Sequence, residues 1–309
     1  MIFVTLINSL ILMAILMAVG YYMRSKKILT DDAENSLSFI LVNITIPAMV
    51  IKGMYIQFSF EQVKTGLSLL GIAVMFHIIL VFLGNTGALA TKDEEKRKIF
   101  RFTVPMMNCG FMGFPLVSQL YGNEAMFYAT MFQTPNIILM WTYGMSILMG
   151  KGKGGGRKNM KEILLNPGMI GIYVGLFLYV TQLKLPMFAT KLMDLLNNVT
   201  TVLAMIIIGS KIKIIGVKNS LINVQAYYAT FFRLAVSPII MIAVFKFFDF
   251  EPMIEQIFVI YAALPVATLM PILAQRYGSD DVLASKVVVI THLLSLVTIP
   301  LFFWLYTVI

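Results

Sequence analysis

Thr103-Val-Pro105-Met-Met-Asn108-Cys-Gly110-Phe-Met-Gly113-Phe-Pro115-Leu-Val-Ser-Gln119-Leu-Tyr121-Gly122 takes up most of an apolar run, 99–120, and ends two residues past it. That run is long enough to cross a bilayer as a helix. Its content argues against an unbroken one. Proline removes a backbone donor and frees the carbonyl one turn earlier, and glycine lets another backbone approach. A second apolar run, 254–275, carries Pro265, Thr268 and Pro271. Pro115, Gln119, Tyr121 and Gly122 are matched by Pro271, Gln275, Tyr277 and Gly278 at one constant offset of 156. Two spans interrupted at matched places predict a pair of discontinuous helices near the middle of the membrane.

The rest of the chain supplies the membrane context. It has 309 residues, 59% hydrophobic and only 13% charged, with a mean hydropathy of +0.85. Too little polar surface remains to cover a soluble core of this size. A soluble enzyme, a nucleic-acid reader and a disordered chain are excluded, leaving an all-α polytopic membrane protein. Ten apolar stretches follow at roughly 2–23, 36–55, 66–89, 99–120, 125–149, 163–183, 192–214, 226–248, 254–275 and 284–308, hereafter spans 1–10. Run length favours helices; barrel strands would alternate over about ten residues. Span 1 reads as a retained helix and not as a signal peptide. Its apolar run is too long, no basic residue precedes it, and Arg24, Lys26 and Lys27 follow it. The single cysteine, Cys109, allows no intrachain disulfide.

The net charge of +9 reads as topology. Eighteen Lys and Arg fall at the loops after spans 1, 3, 5, 7 and 9, against five at the opposite loops. The positive-inside rule then places both termini outside the cytoplasm of an inner or plasma membrane. Lys151-Gly-Lys-Gly-Gly-Gly-Arg157-Lys158 after span 5 reads as a flexible linker; it lacks the Gly-Lys-Ser/Thr ending of a phosphate loop. The predicted division is a first five-helix repeat over 1–150, a basic linker over 151–162, and a second repeat over 163–309. An odd number of helices per repeat turns the second upside down, the organisation of many secondary transporters. The same offset pairs His77 with Arg233, Asn136 with His292 and Thr45 with Thr201, and a one-residue shift pairs Asn43 with Asn198. Broken backbone at mid-membrane depth is tolerated only inside protein or against a wet cavity. Free N–H groups and the positive dipole at half-helix N-termini suit an anion such as a carboxylate.

Here the chain becomes recognisable. Asn108 through Leu116 followed by Tyr121-Gly122, Ala262-Ala-Leu-Pro265 followed by Pro271, Asn166-Pro167-Gly168 at the start of span 6, and Arg233-Leu-Ala-Val-Ser-Pro238 in span 8 resemble the auxin efflux carrier family, along the whole chain. The short central loop is similar to that of bacterial members. The wider grouping is that of bile acid and auxin-carrier-like secondary transporters. The resemblance implies ten helices in two inverted five-helix repeats, with helices 4 and 9 crossing where they unwind. It implies a scaffold of helices 1, 2, 6 and 7, a mobile transport domain of helices 3–5 and 8–10, and homodimers through the scaffold. It also implies an anionic carboxylate as substrate, auxin in plants and malonate or malate-type acids in bacteria.

Asn108 matches the substrate-contacting Asn of that family, and an amide can donate to a carboxylate without adding a buried charge. Gly110, Gly113, Pro115, Pro265 and Pro271 would shape the crossing, with Thr268 adding a hydroxyl. Asn43, Thr45, Pro47, Asn198 and Thr201 would face the site from the scaffold, where packing through small polar residues is the competing role. Gln133, Thr134 and Asn136 in span 5 stand on the same footing. His292 lies near mid-membrane, where an ionisable residue can bind substrate, carry a proton, or be hydrogen-bonded in the bundle. For Arg233, snorkelling or a structural bond is favoured over substrate contact.

All fifteen acids fall in loops or near helix ends. That disfavours a carboxylate proton relay or a carboxylate Na⁺ site, although unwound carbonyls with Asn and Thr could still hold Na⁺ at the 4/9 crossing. Coupling stays open among uniport, H⁺ through His292 and Na⁺. No cofactor and no nucleic-acid partner are expected, and no nucleotide-binding motif appears. The leading expectation is a secondary transporter of a small organic anion, working by elevator-like alternating access in the lipid bilayer. The alternatives are an intramembrane enzyme, with Ser237 and His292 as the conceivable pair, and a channel or sensor.

Overall fold

The computed structural model describes residues 2–122, 125–149 and 164–308; the linker at 151–162 lies outside them. The described residues are helical apart from loops and one isolated antiparallel bridge, Met107 to Val266. Six helical stretches among them are long and apolar enough to cross a membrane: Ile2–Ser25, Asp31–Met54, Phe60–Ala90, Met187–Ile215, Val224–Phe245 and Asp281–Val308. These are spans 1, 2, 3, 7, 8 and 10. Span 6 is the shorter helix Pro167–Thr181, started by Pro167 and by an Asn166 side chain that accepts from the Gly168 amide. Spans 4 and 9 are broken, as the sequence predicts. Span 4 runs as Glu94–Thr103, then a non-helical gap, a π turn at Cys109–Gly113 and Phe114–Tyr121. Span 9 runs as Pro252–Ala262, a gap, and Met270–Tyr277.

Prolines elsewhere are absorbed differently. In span 2 a π turn, Leu41–Thr45, precedes Pro47, and in span 8 another, Phe232–Val236, precedes Pro238. The amide before each proline reaches back five residues, Ile46 to Leu41 and Ser237 to Phe232. The wider turn relieves the clash between the proline ring and the carbonyl behind it, and the helix continues.

The chain divides into two compact units interleaved along the sequence. The first comprises Met1–Gly71, Gly110–Thr134 and Glu162–Ile214, and the second Ile72–Cys109, Pro135–Lys161 and Ile215–Ile309. Spans 1, 2, 6 and 7 fall within the first unit, and spans 8, 9 and 10 within the second.

In the first unit, spans 1 and 7 meet backbone to backbone. A Cβ on Gly20 would overlap the Ile206 carbonyl, and one on Gly209 would overlap that of Met17. Small residues give membrane helices this close approach. Spans 2 and 7 are tied at both ends by charge. Glu34 accepts from Lys211 at 3.0 Å and from the Ser210 hydroxyl, and Lys52 pairs with Asp194 at 2.9 Å.

In the second unit the first half of span 4 is capped by Asp93, which accepts from the amides of Glu95 and Lys96. Those amides, that of Lys96 foremost, hold the Asp93 carboxyl below its ordinary range. Phe100 stacks on Tyr228 at 4.9 Å and meets Phe232 edge-on. Ser279 donates to Glu95 at 2.8 Å, fixing the end of span 9 to the start of span 4.

Candidate substrate site at the interrupted spans

The interruption begins with what proline removes. Pro105 and Pro265 cannot donate, so the helices Glu94–Thr103 and Pro252–Ala262 end just before them and expose carbonyls in apolar surroundings. An unpaired backbone group there costs several kcal/mol in hydrocarbon, so each freed group needs a partner. The two gaps supply partners to each other. The Asn108 amide donates to the Pro265 carbonyl at 2.9 Å, and the Ala267 amide donates to Met106 at 3.1 Å. This is one antiparallel rung centred on Met107 and Val266.

Two side chains complete the accounting. Asn136, 2% exposed, serves both backbone groups of one residue: its Nδ2 donates to the Met107 carbonyl and its Oδ1 accepts from the Met107 amide, each at 3.2 Å. Arg233 is fully buried. Its guanidinium donates to the Val104 carbonyl at 2.7 Å, to the Ala262 carbonyl, and to the Ser237 hydroxyl at 2.6 Å. Ser237 in turn donates to Ala262 at 3.0 Å. One cation therefore closes the C-terminal ends of both half-helices, which carry the negative pole of the helix dipole. Arg233 makes a structural bond and does not snorkel.

On this frame stand Asn108, Thr268 and His292, all buried. The Asn108 Nδ2 donates to Thr268 Oγ1 at 2.8 Å and to His292 Nε2 at 2.9 Å. His292 Nδ1 lies 2.7 Å from the Val288 carbonyl. A carbonyl only accepts, so Nδ1 carries the proton and Nε2 offers the lone pair that Asn108 fills. A neutral imidazole, a neutral amide and a hydroxyl thus meet at the break, beside the N-terminus of Met270–Tyr277, where Pro271 occupies the first turn. His77 lies in the same unit, buried, with Nδ1 at 2.7 Å from its own helix at Ala73.

Asn108, Asn136, Pro265, Thr268, Pro271 and His292 are therefore members of one unit. Asn43, Thr45, Gly110, Gly113, Pro115 and Thr201 are members of the other. There the Asn43 amide donates to its own helix at Phe39, 2.9 Å, and Thr45 to Leu41 at 3.3 Å. Gly110 packs beside Ile46 and Gln133, and Thr201 is half-buried. The Gln133 Oε1 is buried with no hydrogen-bond partner among the described residues. Sequence reading missed that Ser237 and Arg233 act together. The signal available was their spacing of four on one helix face, four residues being close to one turn.

The Ser237 hydroxyl is engaged by the Ala262 carbonyl and by Arg233, and not by an imidazole, so Ser237 and His292 are not paired as nucleophile and base. Comparison with known proteins agrees in kind. A family model described as membrane transport protein matches residues 5–303. The chain belongs to that family of transporters. It is 23% identical over 309 residues to an uncharacterized transporter of Methanothermobacter thermautotrophicus, covering 97% of this chain and 98% of the relative. It is 22% identical over 304 residues to another of Methanocaldococcus jannaschii, covering 96% and 98%. The resemblance to auxin efflux carriers stands, and the protein is a multi-pass membrane transporter.

Proposed function

We propose that this transporter carries a small organic anion, a carboxylate of the malonate, malate or auxin type, and that Asn108, Thr268 and His292 form the polar floor of its binding site. The observation that carries this is the meeting of those three neutral groups at the break in spans 4 and 9. An amide with two N–H groups presents two donors to a carboxylate. A carboxylate arriving there would take over the donors that Asn108 now gives to Thr268 and His292, so no new desolvated donor is created. The positive end of Met270–Tyr277 favours the same charge.

Ten spans in two inverted repeats fit this reading. An antiparallel rung always has a local two-fold axis. Nothing forces that axis to relate residues 159 apart, as it does for Asn108 with Ala267 and Met106 with Pro265. That spacing is within three of the offset read from the sequence. With so much of the site buried, access requires movement, for which elevator-like alternating access is the proposed form, with both termini outside the cytoplasm.

Uptake into proteoliposomes tests the reading. Radiolabelled malonate and malate should enter saturably and exchange by counterflow. Asn108→Ala should lower uptake at least about tenfold, equal to about 1.4 kcal/mol in the transport barrier, with an unchanged gel-filtration profile. Undiminished uptake would remove Asn108 from the site. Large unitary currents in a planar bilayer would favour a channel.

A further inference from the structure

Where a membrane helix is broken, its exposed C-terminal carbonyls form the place at which secondary transporters coordinate Na⁺. In this chain those carbonyls are occupied by a side chain. Arg233 bonds Val104 at 2.7 Å at the end of one half-helix and Ala262 at the end of the other, and Ser237 adds a second donor to Ala262. Among the described residues Arg233 has no carboxylate partner, and its Nε has no hydrogen-bond partner at all. The buried acids, Glu34 and Glu255, are engaged elsewhere: Glu34 by Lys211 and Ser210, Glu255 by the Phe250 amide and the Tyr306 hydroxyl. Among the described residues the positive charge of Arg233 is thus met by two carbonyl dipoles and the Ser237 hydroxyl, with no carboxylate.

We propose that the Arg233 guanidinium is a resident substitute for a coupling cation: it fills the carbonyl site at the interrupted spans, so that the transporter loads its anion without Na⁺ there. A fixed cation does two things that a bound Na⁺ would do. It neutralises the negative ends of two half-helices, leaving the positive end of Met270–Tyr277 unopposed. It also holds the two gaps in register, because a planar guanidinium bonds two acceptors at once in a way a point charge does not. A guanidinium does not dissociate, so the anion's binding is not linked to the Na⁺ gradient through this place. The inference rests on the anion reading above for its transport consequence; its cation half stands without any substrate.

The test is thermal unfolding of the purified full-length transporter in detergent, titrated with Na⁺ against choline, together with ²²Na⁺ binding by scintillation proximity. The wild type should show no saturable stabilisation by Na⁺ and no saturable ²²Na⁺ binding. Arg233→Gln, which keeps a donor but loses the charge, should acquire saturable stabilisation by Na⁺ or by millimolar guanidinium. Saturable Na⁺ binding by the wild type overturns the proposal, as does a folded Arg233→Gln variant that ignores both cations. If Arg233→Gln survives purification only with Na⁺ or guanidinium present, the proposal is upheld; if it fails to fold in all three salts, the proposal is overturned. Wild-type protein that is silent to Na⁺ and also fails to take up any carboxylate removes the anion reading and leaves the role of Arg233 intact.

Discussion

Spans 2 and 8 and spans 4 and 9 all contain proline, and they respond in opposite ways. In spans 2 and 8 one widened turn absorbs Pro47 or Pro238, and the helix runs on from Asp31 to Met54 or from Val224 to Phe245. In spans 4 and 9 the backbone leaves the helix altogether around Pro105 and Pro265. The residue is the same, so proline by itself does not decide. What differs is the supply of replacement partners. Around Pro105 and Pro265 each chain pairs with the other, Asn136 serves Met107, and Arg233 serves both helix ends. A break in a membrane helix is stable where its freed groups are claimed; in spans 2 and 8 the ladder instead shifts by one residue and closes again.

The sharpest way to break this comparison is to remove a partner and leave the prolines. Asn136→Leu keeps the side-chain volume but orphans the Met107 amide and carbonyl together. The expected loss is about 2–4 kcal/mol, two unsatisfied buried groups at about 1–2 kcal/mol each, measured by thermal or denaturant unfolding in detergent. Pro47→Ala, in the absorbed class, should cost about 1 kcal/mol or less. Equal losses for the two variants would mean that the partners are incidental.

Restoring a donor tests the other half. Pro265→Ala returns an N–H that can rejoin the helix and compete with the rung to Asn108. Uptake should fall about tenfold, whereas Pro238→Ala should stay within about twofold, a difference of about 1 kcal/mol in barrier height. Pro265 is the better target than Pro115 or Pro271. Pro271 sits in the first turn of Met270–Tyr277, where a missing N–H costs a helix nothing, and Pro115 follows the π turn Cys109–Gly113 as Pro47 and Pro238 follow theirs.

Much of the frame was legible without coordinates, because it depends on local chemistry. Apolar run length marked the spans, and paired prolines with Asn108 and Thr268 marked the breaks. Asn108 stood out through the family resemblance and His292 as an ionisable residue in an apolar run, and the two meet. The roles of Asn136 and Arg233 were not legible. Asn136 bonds a backbone 29 residues away and Arg233 one 129 away. Their acceptors are carbonyls, which every residue has, so no side-chain pattern points to them. Asn136 was expected among the residues around the substrate, and it bonds the backbone of Met107. The absorbed prolines were hidden for the same reason: whether a ladder closes depends on what lies across from it.

The smallest expected effect sharpens the comparison most, since it holds residue type and burial constant. Thr268 and Thr230 are both buried, at 1% and 3% exposure. The Thr230 hydroxyl donates back to the Ala226 carbonyl of its own continuous helix at 2.7 Å. That carbonyl is one turn back along the same helix, so the hydroxyl serves a group that helix geometry can serve without it. Thr268 instead accepts from Asn108 across the break, where helix geometry offers the amide nothing. Thr268→Val should therefore destabilise by about 1 kcal/mol, the net worth of one hydrogen bond, with His292 retaining the other Asn108 N–H. Thr230→Val should fall within about 0.5 kcal/mol of the parent, a conservative change away from any break. Unfolding in detergent resolves the pair directly. If the order is reversed, the polar residues at the interruption are packing groups like any others, and the contrast between claimed and closed ladders loses its energetic basis.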